Sequence, residues 1–188
     1  MVLPIYAFGQ PILKKECDVI DPLKYADFSK LIADMYETMK AAKGVGLAAP
    51  QVGFGLKLFV VDTTPYVEEG KDFVGIRKVF VNAAMLDETG DDWAFEEGCL
   101  SIPDLRADVD RSPKIKIEYQ DELGNTHVEE FDGLNARVIQ HEYDHTMGVL
   151  FIDHLKPLKK RMFQRKLEAI KKGQVEADYR LKFYRSKS

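Results

Sequence analysis

The stretch Gln140-His141-Glu142-Tyr143-Asp144-His145 constrains this chain more than any other. On an α-helix, residues four apart stand one above the other, with roughly 5–6 Å between Cβ atoms. The apolar spacing predicts a helix from Gly133 to Met147, with Asp132 as its cap and Gly148 as its stop. Leu134, Val138, His141 and His145 share one face, and Ala136, Ile139 and Tyr143 widen the apolar girdle. A helix apolar on several sides is internal. Two imidazoles one turn apart on such a helix can grip one cation, with Glu142 placed to act on a water as general base.

A catalytic metal site needs a third protein ligand and one open position. A His six residues after His145 would complete one known pattern, but Phe151 stands there and cannot bind a cation. A Glu from a later helix would complete another, and Glu168 is the nearby candidate. The remaining source is upstream. There Glu96-Glu97-Gly98-Cys99-Leu100-Ser101-Ile102-Pro103 holds a cysteine that reads either as a ligand or as a small buried side chain.

The chain has 188 residues, of which 45% are hydrophobic. No run approaches the ~20 apolar residues of a membrane helix. One domain over 1–188 is expected, with no membrane partner. Met1-Val2-Leu3-Pro4-Ile5-Tyr6 reads as neither a signal nor a transit peptide, so a cytoplasmic location is expected. In that reducing compartment Cys17 and Cys99 stay unpaired. A net charge of −4 gives no general attraction to nucleic acid, and sequence-specific nucleic-acid binding is not expected.

Along the chain, Asp21-Pro22 predicts the start of a helix that ends at Gly44, with Phe28, Leu31, Ile32, Met35 and Met39 as its apolar stripe. Gly44-Val45-Gly46-Leu47-Ala48-Ala49-Pro50-Gln51 is a small-residue segment. It lacks the Lys-Ser/Thr of a phosphate cradle, but its glycines would let a ligand approach the backbone. Strands are predicted at 56–61, 78–82, 85–88 and 149–152, with a loop over 63–75. Clean alternation over 114–120 and 126–131, joined by Asp121-Glu122-Leu123-Gly124-Asn125, predicts a hairpin in which His127 is a plain strand residue. A basic amphipathic helix is predicted over 159–172, followed by a strand in the tail 174–188. The expected fold class is α+β: mixed and antiparallel sheets around a central metal-binding helix, with a C-terminal helix and an extra C-terminal strand.

Three segments, Gly44 to Gln51, Glu97-Gly98-Cys99-Leu100-Ser101 and Gln140 to His145, together resemble the three signature motifs of the peptide deformylases. The resemblance covers the chain from the first helix to about Lys172. It implies a hydrolase that removes the formyl group from the N-terminal formylmethionine of nascent polypeptides, releasing formate. It implies Cys99, His141 and His145 as metal ligands, a water on the metal as attacking group and Glu142 as base and acid. Gln51, through its amide, and Leu100, through its backbone N–H, would hold the formyl oxygen. Gly46 and Gly98 would run along the substrate backbone. Val45, Leu134 and Val138 would line the methionine pocket, closed by Trp93 or Phe95, with Arg137 beside it turning outward to solvent. Glu97 would pair with Arg111 and fix the Cys99 loop. The implied native ion is Fe2+, with Zn2+, Ni2+ or Co2+ able to replace it. The basic C-terminal helix would dock on the ribosome. Thr146, where an apolar residue is usual, and the tail after Gly173 depart from the pattern. Two other readings share these residues: a metallopeptidase cutting ordinary peptide bonds, and a non-catalytic zinc-stabilised binding module.

Overall fold

The computed structural model describes residues 1–67 and 72–184. Its centre is a five-stranded antiparallel sheet in the order β2-β3-β4-β7-β8. The strands are β2 (Gly46–Ala48), β3 (Leu58–Asp62), β4 (Arg77–Thr89), β7 (Lys114–Gln120) and β8 (Thr126–Asp132). Two-stranded pairs flank it: β5 (Trp93–Cys99) with β6 (Ile102–Arg111), antiparallel, and β1 (Ile5–Tyr6) with β9 (Leu181–Lys182), parallel. The helices are α1 (Phe28–Ala41), α2 (Gly133–Thr146) and α3 (Pro157–Lys171). The architecture is α+β, as the sequence indicates. No helix of the described residues is long and apolar enough to cross a membrane.

β3 explains how the layers form. Its run Leu-Phe-Val-Val is fully buried because successive side chains point to opposite faces, and both faces are covered. Leu58 and Val60 face α1 through Phe28, Leu31, Ile32 and Met35. Phe59 and Val61 face α2 through Ala136, Val138 and Ile139. Phe59 stacks on Phe80 of β4 with ring centroids 4.7 Å apart. Each such aliphatic or aromatic side chain contributes about 1.5–3 kcal/mol by leaving water. On its other side α2 meets a third cluster, in which Cys99, Ile102, Leu105 and Val109 of the β5–β6 pair pack with Leu150, Phe151, Leu167 and Ile170. The metal-motif helix is therefore enclosed between the sheet and the β5–β6 hairpin.

Several expectations change. The helix predicted from Asp21-Pro22 starts at Phe28, because Asp27 takes a left-handed φ of 57° and separates it from the turn at Asp21. At the other end Lys43, not Gly44, is left-handed (φ 58°), and the Lys43 and Gly44 amides bond back to Lys40 and Met39. Strands 78–82 and 85–88 are one strand, β4, with register shifts within Val81–Ala84 and Met85–Asp87. Asn82 tolerates the bend at φ 51°, and its side chain bonds both Ile20 backbone groups. The strand expected at 149–152 is a 3-10 turn, Phe151–Asp153, closed by the Leu150 amide donating to Asp153. Of the tail strand only Leu181–Lys182 forms; positions 185–188, and 68–71 of the predicted 63–75 loop, lie outside the described residues. Gly148 stops α2 as expected, at φ 73°, while Asp132 sits at the cap position without a side-chain capping bond. His127 lies in β8 as expected, and its Nε2 sits 2.9 Å from Asp121 Oδ2 of the hairpin turn. Cys17 is buried and unpaired, and burial pushes its thiol up to about 11.

Candidate metal centre and active-site cleft

α2 presents His141 and His145 one turn apart, with ring centroids 5.0 Å apart and planes 78° to one another. β5 brings in Cys99 at its last position, where the thiol sulfur lies 3.3 Å from His145 Nε2. One ligand atom from each of Cys99, His141 and His145 lies within 4.8 Å of the others, and all three residues are buried. Glu168, the alternative third member, is exposed on α3 and is not part of this cluster.

Glu97, two residues before Cys99, ties the cluster to its surroundings. Its Oε2 lies 2.9 Å from His141 Nδ1, which leaves the other ring nitrogen of His141 for the cluster. Arg111 donates to both Glu97 oxygens at 2.7 and 3.1 Å and to Asp144 at 2.8 Å. His154 Nε2 approaches the same Asp144 oxygen at 2.8 Å. Burial works against the Glu97 charge, but His141 and Arg111 outweigh it and hold the carboxyl well below the usual range.

Arg137 does not turn outward. It is 2% exposed and donates to Glu97 at 3.0 Å and to the Val109 and Trp93 carbonyls at 2.9 and 2.6 Å. Its guanidinium lies 4.7 Å from the Trp93 ring centre and 5.7 Å from that of Phe95. The β5–β6 hairpin covers α2 at this position, and its Val109 and Trp93 carbonyls hold the side chain inward at the edge of the cleft. Of the two aromatics expected to close the pocket, Phe95 lines the cleft and Trp93 stacks against Arg137 instead.

A cleft of about 1140 Å³ opens over the cluster. Val45, Gly46, Gln51, Glu97, Gly98, Cys99, Leu100, Leu134, Val138, His141 and Glu142 all line it; Arg111 and His145 lie behind its wall. The Gln51 carbonyl accepts the Ala48 amide at 2.8 Å, which turns the NH2 end toward Cys99 Sγ (3.5 Å) and Ser101 Oγ (3.3 Å). Glu142 is 4% exposed, and its Oε2 is buried without a partner among the described residues, as is His145 Nδ1. Burial pushes the Glu142 carboxyl up to about 7. Burial also holds the His145 ring well below the ordinary imidazole value; it opposes charge on His141 too, but bonds to Cys99 and Glu97 raise that ring well above it.

Gly46 is fixed by contact rather than by φ. A Cβ there would fall 2.4 Å from Glu142 Oε1 and 2.6 Å from its Cγ. Glu142 is walled in and cannot yield cheaply. Gly46→Ala is therefore expected to cut turnover by about 10²-fold, the cost of roughly 1 Å of misplacement, and to lower stability by about 1–3 kcal/mol through the overlap. Wild-type turnover in that variant would show that the carboxylate has room to move.

The donor set suits a divalent cation. A thiolate and two imidazoles supply three ligands for a four-coordinate ion with one place left open. Sequence reasoning overlooks Arg137 as a member of the buried ion network and residues 176–179 as part of the cleft. Nothing in their local pattern signals either position, since both depend on partners distant in sequence.

Comparison with known proteins agrees with this arrangement. The family model described as polypeptide deformylase matches residues 2–161. The chain is 50% identical to a peptide deformylase of Flavobacterium johnsoniae, covering 100% of this chain and 98% of that one. It is 52% identical to one from Cytophaga hutchinsonii, covering 97% and 98%. The crystal structure of peptide deformylase from Thermus thermophilus superposes with a TM-score of 0.81 at 36% identity, covering 92% of this chain and 99% of that one. The motif order, the cleft and these likenesses lead to one conclusion: this chain belongs to the polypeptide deformylase family.

Proposed function

We propose that this protein hydrolyses the formyl group from N-formylmethionyl peptides, releasing formate and a free amino terminus. The observation that carries the reading is the junction of Cys99, His141 and His145 with the buried carboxylate of Glu142 in one cleft. A divalent cation held by those three side chains would lower the pKa of water toward neutrality. Glu142 takes the proton of the attacking water and returns it to the amine as the C–N bond breaks. Negative charge develops on the formyl oxygen during attack. The Gln51 amide, whose orientation is fixed through Ala48, and the Leu100 backbone N–H are the donors assigned to it. One such donor is worth about 3 kcal/mol. Val45, Leu134 and Val138, with Phe95 at the edge, form the apolar lining for the methionine side chain, and Gly46 and Gly98 leave room for the peptide backbone. Glu97 and Arg111 hold His141 in place.

Formate release from formyl-Met-Ala-Ser, compared with cleavage of the unblocked peptide, tests the reading. Formate without peptide-bond cleavage supports it; the reverse would make the protein a peptidase. We assign Fe2+ as the native ion and the cytoplasm as the compartment on the family resemblance. Metal analysis of protein isolated without air would reverse the first assignment by finding chiefly zinc.

We also assign the exposed basic face of α3 to the ribosome. On that face Lys159, Lys160 and Lys166 are engaged with Asp108, Asp153 and the Asp104 carbonyl. Arg161, Arg165 and Lys172 are exposed with no ion pair among the described residues. Reversing those three charges is expected to abolish co-sedimentation with ribosomes at low salt while leaving turnover on short peptides unchanged. Undiminished co-sedimentation would remove the assignment.

A further inference from the structure

The β5–β6 hairpin turns through Leu100 and Ser101, between the paired residues Cys99 and Ile102. Two-residue hairpin turns favour central residues at positive φ, because that twist matches the flanking strands. Neither Leu100 nor Ser101 has a positive φ, and the pairing register shifts between Gly98 and Cys99. The hairpin by itself therefore does little to select this turn. Both turn carbonyls are instead held from outside it. The Phe8 amide donates to Ser101 O at 2.8 Å, and the Tyr179 hydroxyl donates to Leu100 O at 2.8 Å.

The two donors belong to one unit. Phe8 follows β1, Tyr179 precedes β9, and these strands pair in parallel, Ile5 with Leu181 and Tyr6 with Lys182. The Ile5 amide donates to Arg180 O at 2.8 Å and the Ala7 amide to Lys182 O at 3.0 Å. Val175, Leu181 and Phe183 anchor the segment on the cluster that also contains Cys99 and Ile102. The two ends of the chain thus form a clamp on the turn that carries the metal-motif cysteine.

We propose that Tyr179 is a positioning residue for deformylation: through its bond to Leu100 O, the β1–β9 clamp sets the turn that presents the Cys99 thiol and the Leu100 N–H. This rests on the proposed function for its catalytic consequence, though not for its structural one. Tyr179→Phe deletes one hydroxyl and keeps the ring. The Leu100–Ser101 peptide then loses its outside tether, the turn stays held only at Ser101 O by the Phe8 amide, and the freed peptide samples other orientations. Donors at the reacting oxygen act in the transition state, so their displacement lowers kcat more than it changes KM.

The test compares metal-loaded, full-length wild type and Tyr179→Phe by amide hydrogen exchange and by steady-state kinetics on formyl-Met-Ala-Ser. Exchange is expected to rise about tenfold or more at Phe8 and over 99–102 while β7 is unchanged. The expected kcat is lower by about tenfold, with KM within about twofold. Placing 4-aminophenylalanine at 179, which restores a donor, is expected to recover most of the kcat. Unchanged exchange at Phe8 and 99–102 would overturn the proposal. So would faster exchange throughout the chain with kcat and KM altered together, the mark of a general loss of structure. Wild type that released no formate would reject the proposed function, and the exchange comparison would still decide whether Tyr179 holds the turn.

Discussion

Glu142→Ala is expected to lower kcat for formate release by about 10³- to 10⁴-fold while the protein keeps its metal and its fold. General acid–base catalysis by one positioned group is worth typically 10²–10⁴-fold, and here a single carboxylate serves both proton transfers. The stability side is unusual. Glu142 is 4% exposed, and its Oε2 has no hydrogen-bond partner among the described residues. Deleting a buried carboxylate of that kind removes a desolvation cost and strands no partner. The melting temperature should therefore stay level or rise as turnover collapses. A variant that keeps turnover would show that Glu142 does not carry the proton transfers; one that loses turnover only because it loses metal would show that Glu142 supports the ion instead.

Glu97→Ala is expected to act in the opposite way, through stability first. The carboxylate is 5% exposed and neutralises Arg111 and Arg137 while accepting from His141. Removing it leaves two guanidinium groups, themselves 6% and 2% exposed, with less counter-charge in a closed interior. Breaking a buried ion pair from one side costs about 3–5 kcal/mol. For a chain of this size that corresponds to a melting temperature lower by roughly 10 °C. His141 loses its orienting partner as well, so metal affinity should fall by about 10- to 100-fold. The exposed pair Lys116–Glu130, at 3.9 Å, is the control: Glu130→Ala should shift stability by no more than about 0.5 kcal/mol. Equal shifts in Glu97→Ala and Glu130→Ala would show that the buried network adds nothing.

The parts of the fold that can be read from sequence are those whose pattern is local. The β7–β8 hairpin alternates without interruption from Ile115 to Tyr119, and α2 carries its two histidines and its apolar face at helical spacing. β6 alternates just as well, with Leu105, Ala107 and Val109 inward, yet no strand is expected there from sequence. Pro103 and the acidic residues at 104, 108 and 110 hide it, since both disfavour strands in isolation. Arg137 is misplaced by sequence reasoning for a different reason. Arginine is seldom fully buried unless paired, and its partner Glu97 lies 40 residues away. The alternation from Val175 to Phe183 suggests a full strand, but only Leu181–Lys182 meets a strand edge, that of β1, while the preceding residues line the cleft. Within the site, Cys99, His141, His145, Glu142 and Gln51 are legible as motifs; the cleft wall and the clamp on the Cys99 turn are products of tertiary contact.

Zinc K-edge X-ray absorption on protein reconstituted with one equivalent of Zn2+ tests the centre most directly, because it counts the atoms around the ion whether or not turnover occurs. The account predicts a shell of one sulfur and two imidazole nitrogens with a light atom in the fourth place, and loss of the sulfur in Cys99→Ala. A shell of nitrogen and oxygen alone in the wild-type protein would contradict it, since Cys99 would then stand beside the two histidines without sharing their ion.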